Sequence, residues 1–167
     1  ARKPDSQDIC FVKDNDYAGF LKNAMGVEPA PGDFIDTSGK VIGRHKGLIH
    51  YTVGQRRGLN IGFGCRKYVV KIDRENNTVV LGDPEDLLSQ SLIATDVNLI
   101  SVDRLEAPME VTVKTRYKQP ETPAVIHPME NGNIRVVFEK PQRAITPGQA
   151  VVFYDQDVVV GGGTIAK

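Results

Sequence analysis

The stretch MEVTVKTRY, residues Met109–Tyr117, decides the fold because apolar and polar side chains alternate along it. In an extended chain, Met109, Val111 and Val113 fall on one face and the residues between them fall on the other. Such alternation is typical of a strand that packs one face on a core and turns the other toward solvent or a ligand. We therefore predict a β-strand over the whole stretch.

Five further apolar runs of strand length lie on either side of this stretch, separated by turn residues. They are Leu92–Ile100, Ala124–Met129, Ile134–Glu139, Ala150–Tyr154 and Val158–Ile165. Short strands in such close succession predict a small antiparallel β-barrel. No helix follows the triplet Gly161–Gly163, so we interpret it as a place of close backbone packing or a bulge and not as a phosphate loop.

The residues before the barrel carry more mixed signals. They predict a capped helix over Asp14–Met25, a hairpin over Asp33–Gly43, a short helix and a glycine-rich loop over Gly47–Gly64, a hairpin that pairs Tyr68–Ile72 with Thr78–Leu81, and a brief helix over Asp83–Leu88. We predict a mainly β protein with a few short helices. In it, a small mixed α/β central domain, residues 14–90, precedes a six-stranded antiparallel β-barrel, residues 91–167.

The composition is that of a soluble globular protein, with 40% hydrophobic and 25% charged residues among 167. No run approaches the roughly 20 apolar residues that span a bilayer, and the polar start is unlike a signal peptide. Cys10 and Cys65 are too few for a disulfide framework. We expect a cytoplasmic protein with no membrane partner. The chain starts without Met and soon enters the apolar run Ile9–Val12, so we also expect it to be part of a longer protein.

Charge is distributed unevenly along the chain, although the formal net charge is zero. Lys40–Lys71 contains eight Lys or Arg residues and no acid, whereas Ile72–Glu110 contains nine acids and two bases. A short basic cluster follows at Lys114, Arg116 and Lys118. Local positive charge binds polyanions because each phosphate contact releases counterions. The pattern favours a phosphate-bearing partner over basic side chains that only cover a solvated surface. The balanced total argues against indiscriminate nucleic-acid binding, and we expect no DNA partner.

The cysteines and histidines are the candidates for chemistry. A nucleophilic cysteine needs access and a lowered pKa, and Cys10 lies in an apolar run, where packing is the commoner role. Cys65 lies in a basic, glycine-rich loop and is interpreted as incidental. His45, His50 and His127 have no cysteine or carboxylate partners at zinc-type spacing, so no metal site is predicted. We assign His45 and His50 to the basic surface.

Two basic segments contain the residue types that RNA contacts require. Gln55, Arg56 and Arg57 offer an amide and two guanidinium groups, and guanidinium groups pair with phosphates and stack on bases. Arg116 and Tyr117 place an aromatic ring beside positive charge, which suits stacking on an unpaired base. The alternatives are a plain exposed loop for the first segment and an ordinary strand end for the second.

Five segments, in order along the chain, together resemble bacterial tRNA-specific 2-thiouridylases. They are KPDSQDICF at Lys3–Phe11, GRHKGLIHYTVGQRRGL at Gly43–Leu59, VKTRY at Val113–Tyr117, AITPGQAVVFY at Ala144–Tyr154 and GGGTI at Gly161–Ile165. The resemblance covers essentially the whole chain, and by it the chain looks like the C-terminal half of such an enzyme.

The resemblance implies a sulfurtransferase that makes 2-thiouridine at wobble position 34 of tRNA. ATP with Mg would adenylate the uridine in an N-terminal domain, of which residues 1–13 would be the tail, and no cofactor is expected on this chain. Cys10 would be the catalytic cysteine that carries sulfur as a persulfide, received from a sulfur-carrier protein. Because the adenylation domain and its own cysteine are missing from this sequence, the chain alone is expected to be inactive.

The resemblance also implies contacts with tRNA. Arg116, Tyr117 and Gln149 match positions where the family contacts tRNA, and the stretch Gly54–Gly58 would add contacts near the anticodon arm. Two alternatives stay open. A non-catalytic RNA-binding β-barrel module of the translation-factor type has no use for Cys10 in its Asp-Ser-x-x-Ile-Cys-Phe setting. A purely structural or protein-interaction barrel leaves the basic run unexplained.

Overall fold

The structure, a computed structural model, describes residues 19–20, 23–24, 26, 29–60, 62 and 66–166. The chain divides into two compact units, Ala1–Leu81 and Gly82–Lys167, and each is described by itself. Of the helix predicted over Asp14–Met25, residues 19–20 and 23–24 are described and are helical, and the rest lies outside the described residues. In the portion of the chain that is described, no helix is long and apolar enough to cross a membrane.

A four-stranded mixed sheet forms the described body of the first unit, with the order β2-β1-β4-β3. The strands are β1 (Gly32–Asp36), β2 (Val41–His45), β3 (Tyr68–Asp73) and β4 (Thr78–Gly82). Strands β1 and β2 are antiparallel, whereas β1 and β4 are parallel. Both predicted hairpins are confirmed, and the helix predicted after Gly47 is a single 3-10 turn over Leu48–His50.

The turn between β1 and β2 is organised by one carboxylate. Asp36 accepts hydrogen bonds from the Ser38 hydroxyl at 2.6 Å, the Ser38 N–H at 2.9 Å and the Lys40 N–H at 3.0 Å. The bond from the Ser38 hydroxyl, followed by that from the Lys40 backbone, lowers the pKa of Asp36 below its ordinary value. The turn is therefore closed by hydrogen bonds to the Asp36 side chain as well as by hydrogen bonds between backbone groups.

His45 is a core residue of the first unit, and its predicted place on the basic surface is wrong. The side chain is 2% exposed, and its ring lies edge-on to Phe34 and Tyr51. Its Nδ1 accepts the Gly47 N–H at 3.0 Å, so the proton belongs to Nε2, which lies 3.0 Å from the Asn77 carbonyl oxygen. Both ring nitrogens thus lie at hydrogen-bond distance from backbone groups. His45 is therefore buried, although its neighbours in sequence, Arg44 and Lys46, are basic.

The second unit is a closed barrel of six antiparallel strands, as predicted. The strands, in the order β10-β5-β8-β7-β6-β9, are β5 (Leu88–Leu99), β6 (Met109–Lys114), β7 (Thr122–Pro128), β8 (Ile134–Arg143), β9 (Ala150–Asp155) and β10 (Val158–Ile165). The brief helix predicted before β5 is a 3-10 turn over Pro84–Leu87, closed by a capping box between Asp83 and Asp86.

Strand β6 shows the predicted alternation but ends three residues earlier than predicted, at Lys114. Val111 and Val113 are buried in the barrel core, whose largest side chains include Phe138 and Phe153. After the strand the chain turns, and the hydroxyl of the buried Thr115 donates a hydrogen bond to the Gln119 side chain at 3.0 Å. Arg116 and Tyr117 therefore lie in a bend and not on the strand, which corrects the prediction.

The glycine triplet allows β10 to approach its neighbours closely, as predicted. A Cβ atom added at Gly161 would lie 2.5 Å from the Asn98 carbonyl oxygen, and one added at Gly162 would lie 2.6 Å from that of Val151. The register shifts between Val159 and Gly161 against β9, and shifts again after Gly162 against β5. Side chains at these positions would separate the strands that close the barrel.

We expect Gly161→Ala to lower the free energy of unfolding by about 1–3 kcal/mol, because the new methyl group meets fixed backbone atoms. Gly62→Ala is the matched control, since a Cβ there has no heavy atom within 4 Å; we expect it to change stability by less than about 0.5 kcal/mol. Urea unfolding followed by circular dichroism measures both. Equal midpoints for the two variants would contradict the close-packing account.

Candidate nucleic-acid interface

The first candidate surface is the basic loop, defined here as residues Thr52–Gly58. Two buried residues fix its ends: Tyr51, which is 8% exposed, and Leu59, which is 7% exposed, both in the core of the first unit. Between them Arg56 and Arg57 are exposed. The segment folds this way because apolar Tyr51 and Leu59 pack in the core at its two ends. The polar residues and glycines between them contribute little to the core.

Gln55 organises the basic loop from within. Its Oε1 accepts the Thr52 N–H at 2.9 Å, and its Nε2 donates to the Arg57 carbonyl oxygen at 2.9 Å. Its backbone is also held, because the Gln55 N–H donates to the Thr52 carbonyl at 3.0 Å and the Gln55 carbonyl accepts the Val69 N–H from β3 at 2.9 Å. The loop is therefore tied both to itself and to the sheet.

The electrostatics of the basic loop suit an anionic ligand. It lies within the acid-free run Lys40–Lys71, and neither Arg56 nor Arg57 forms an ion pair with another described residue. The described ion pair of this unit joins Arg44 to Asp33 at 3.8 Å, away from the loop in sequence. Two exposed guanidinium groups on adjacent residues can each pair with a phosphate.

The second candidate surface is the Arg116 end of the barrel, defined here as the connections 115–121 and 144–149 with the start of β5. In a closed antiparallel barrel, alternate connections lie at the same end, so these segments are neighbours although far apart in sequence. The end therefore brings together Arg116, Tyr117 and Gln149, the three barrel residues singled out from the sequence. Tyr117 is 81% exposed.

Arg116 joins the two connections of this end. Its Nη2 donates to the Ala144 carbonyl oxygen at 2.7 Å and to the Thr146 hydroxyl at 3.2 Å. Thr146 in turn donates its hydroxyl to the same carbonyl at 3.0 Å and accepts the Gln149 N–H on its own carbonyl at 3.3 Å. The Gln149 side chain is exposed. Arg116 is thus a clamp as well as a source of positive charge.

Two glutamines that sequence reasoning did not single out support the same end. Gln119 accepts the Thr115 hydroxyl at 3.0 Å and donates its amide to the Gln142 Oε1 at 3.2 Å. Gln142 also accepts the Thr122 hydroxyl at 3.3 Å and donates to the Lys140 carbonyl at 2.8 Å. The bend that carries Tyr117 is therefore held on both sides. No spacing in the sequence signals these pairs, because they link residues 20 and 23 positions apart.

Charge differs between the two ends of the barrel. The connections of the opposite end carry four acids and one base: Asp103, Glu106, Glu130, Asp157 and Arg104, and Arg104 is paired with Glu106. At the Arg116 end, the acids lie on the turn before β5 and at Glu121, whose carboxylate Lys114 contacts at 3.8 Å. A polyanion is therefore attracted to the connection that carries Arg116 and Lys118, while the acids before β5 and those of the opposite end repel it.

Cys10 and Cys65 lie outside the described residues. Within the ranges that are described, no three His, Cys, Asp or Glu side chains cluster so as to hold a metal ion. The glycine triplet lies inside β10 and precedes no helix, so it does not fit the phosphates of ATP.

Comparison with known proteins decides the family. A family model described as the tRNA methyl transferase PRC-barrel domain matches residues 18–83, and one described as the aminomethyltransferase beta-barrel domain matches residues 89–165. The tRNA-specific 2-thiouridylase MnmA of Acetivibrio thermocellus is 59% identical over 165 residues, which are 99% of this chain and 46% of the relative. The chain belongs to the tRNA-specific 2-thiouridylase family.

Other 2-thiouridylases give the same result. MnmA 1 of Thermoanaerobacter sp. is 56% identical over 100% of this chain, and MnmA of Clostridioides difficile is 54% identical over 99% of it; 46% of each relative is covered. The chain thus spans a little under half the length of the curated 2-thiouridylases that it matches. The family membership predicted from five segments is confirmed, and the translation-factor module is not favoured.

We expect Arg116→Ala to lower the free energy of unfolding by about 1 kcal/mol, because hydrogen bonds to the Ala144 carbonyl and the Thr146 hydroxyl are removed. An exposed residue on a strand, the position that the sequence indicated for Arg116, would contribute less to stability. Arg104→Ala is the control: it removes an exposed ion pair, which contributes less than about 0.5 kcal/mol. Urea midpoints that move equally in both variants would argue against the clamp.

Proposed function

We propose that this chain is the tRNA-binding and sulfur-carrying part of a tRNA-uridine 2-sulfurtransferase that makes 2-thiouridine at position 34. The observation that carries the proposal is the 54–59% identity to tRNA-specific 2-thiouridylases across 99–100% of the chain. These relatives are about twice as long. ATP-dependent adenylation of the uridine, with Mg, is therefore proposed for the longer protein, and this chain by itself is expected to be inactive.

The two basic surfaces support tRNA as the ligand. Each exposes arginine on a segment held by hydrogen bonds, the basic loop through Gln55 and the Arg116 end through the bond to Ala144. Phosphate contacts by such groups position an RNA, while stacking on an exposed ring selects an unpaired base. Tyr117 offers that ring beside two cations, Arg116 and Lys118. An anticodon arm presents both features, a phosphate backbone and unstacked bases.

Cys10 is proposed as the residue that carries the sulfur. Its role rests on the match of Lys3–Phe11 to the family, since this cysteine lies outside the described residues. Cys10 would receive a sulfur atom from a sulfur-carrier protein and hold it as a persulfide. The terminal sulfur would become bonded to the activated uridine carbon as AMP leaves, and the S–S bond would break as the cysteine of the N-terminal domain forms a disulfide with Cys10. Cys65 does not match a catalytic position and has no part in the proposal.

We expect tRNA from cells whose full-length parent protein carries Cys10→Ser to lose 2-thiouridine, because a hydroxyl cannot hold a persulfide. Mass spectrometry of digested tRNA measures the nucleoside. Cys65→Ser is the control and should keep it. Normal thiolation with Cys10→Ser, at an unchanged protein level, would leave an RNA-binding module without a sulfur-carrying role.

We expect Tyr117→Ala to weaken tRNA binding by about 1–3 kcal/mol, the range for loss of one base stacked on an aromatic ring. Tyr117→Phe should bind normally, because the ring is kept. The dependence of the affinity on salt should stay unchanged, since no charge is removed. Titration of tRNA against the chain at two salt concentrations measures both quantities. Equal affinities for the Ala and Phe variants would remove Tyr117 from the interface.

A further inference from the structure

We infer that Gln55 is a positioning residue: it sets the shape of the basic loop for Arg56 and Arg57 and does not itself contact the RNA. The inference rests on the proposed function, because it concerns how the loop meets tRNA. It reassigns a residue whose place beside two arginines suggested a direct contact. The hydrogen bonds of its side chain carry the argument.

Both polar atoms of the Gln55 side chain are already bonded within the loop. Oε1 accepts the Thr52 N–H at 2.9 Å and Nε2 donates to the Arg57 carbonyl at 2.9 Å. The two partners are backbone groups on either side of Gln55, so the amide acts as a crosspiece. Turning it toward an RNA base would break both bonds and leave the loop without them.

The position of Gln55 within the fold also prevents its movement. The Gly54 N–H donates to the Val69 carbonyl at 2.8 Å, and the Val69 N–H donates to the Gln55 carbonyl at 2.9 Å. Val69 is fully buried in β3. The backbone of residues 54 and 55 is therefore hydrogen-bonded to β3, while the Gln55 side chain reaches forward to residue 57. Gln55 is half-buried, whereas Arg56 is exposed.

The consequence falls on the two arginines. Because the Arg57 carbonyl is held, the direction in which the chain presents Arg56 and Arg57 is limited before any RNA arrives. Positive φ angles at Gly54, 90°, and Gly58, 76°, turn the chain on each side of the pair. A loop ordered in advance loses less conformational entropy on binding, so its phosphate contacts yield more affinity.

Other side chains of similar size cannot take this place. A glutamate at position 55 would keep the acceptor for the Thr52 N–H but would face the Arg57 carbonyl with a carboxylate and no donor. An asparagine is one methylene shorter and cannot span both partners. A direct RNA contact, by contrast, requires only one of the two polar groups of the amide, either the carbonyl oxygen or the NH2 group.

The binding experiment compares Gln55→Ala, Arg56→Ala/Arg57→Ala and the triple variant in tRNA titrations of the full chain at several salt concentrations. We expect Gln55→Ala to weaken binding and to lower the salt slope, by up to roughly 0.7–0.9 for each phosphate that the loop no longer binds. On the double-arginine background, Gln55→Ala should change the affinity by less than about twofold. An unchanged slope with additive effects on affinity would show a direct contact and overturn the inference.

A second measurement reports the loop without RNA. Trypsin cleaves after arginine, and we expect Gln55→Ala to speed cleavage after Arg56 and Arg57 several-fold, because the loop loses its crosspiece. Cleavage after Arg74, exposed on the β3–β4 turn, should not change and serves as the internal control. The urea midpoint should fall only slightly, because the two hydrogen bonds that are lost lie in an exposed loop. Unchanged cleavage at Arg56 and Arg57 would overturn the positioning role.

The two experiments distinguish failure of the inference about Gln55 from failure of the proposed function. If Arg56→Ala/Arg57→Ala leaves tRNA affinity and salt slope unchanged, the loop does not bind tRNA, and that part of the proposed function fails together with the role of Gln55 in it. If the arginines matter but the Gln55 effect is additive, only the inference fails. Faster cleavage combined with non-additive binding supports both.

Discussion

The pairing of β10 with both β5 and β9 is the constraint on which the second unit depends. It closes the barrel. Within the sheet, the antiparallel pairing of β6 with β7 and β9 puts the connections 115–121 and 144–149 at the same end, so residues 30 positions apart, such as Arg116 and Thr146, can bond to each other. The glycine triplet permits the pairing because added Cβ atoms would meet carbonyl oxygens of β5 and β9 at 2.5–2.6 Å. The Arg116 end is thus a product of strand pairing, and closure by β10 completes the barrel that carries it.

Both units hold an arginine-bearing segment in place by hydrogen bonds to backbone carbonyls. Arginine is flexible, and a flexible cation loses entropy when it pairs with a phosphate. In the first unit, a glutamine amide braces the backbone next to Arg57. In the second, Arg116 itself is bonded to the Ala144 carbonyl, and a chain of amides through Gln119 and Gln142 holds the bend that carries Tyr117. Order at these sites therefore comes from hydrogen bonds to backbone carbonyls, which need no buried apolar surface.

Much of the fold could be predicted from the sequence, because alternation in β6 and turn residues between strands are local signals. The end of β6 was predicted wrongly because Thr115 to Tyr117 continues the alternation, while a bond from Thr115 to Gln119 turns the chain. His45 was misassigned because Asn77, the partner of its Nε2, lies 32 positions away and becomes a neighbour only when the sheet forms. For the site, the residue types could be predicted, but their division into contacting and positioning roles depends on distances that only the fold supplies. Cys10 stays a prediction.

Charge sorting within a chain of zero net charge has a physical consequence for recognition. A protein with uniform positive charge attracts any polyanion, whereas here acids lie at both ends of the barrel and the bases Arg116 and Lys118 share one connection. The acid-free run Lys40–Lys71 gives the first unit its own positive region. A polyanion is then attracted only to the positive segments and is repelled by the acids, so the attraction depends on where its phosphates lie.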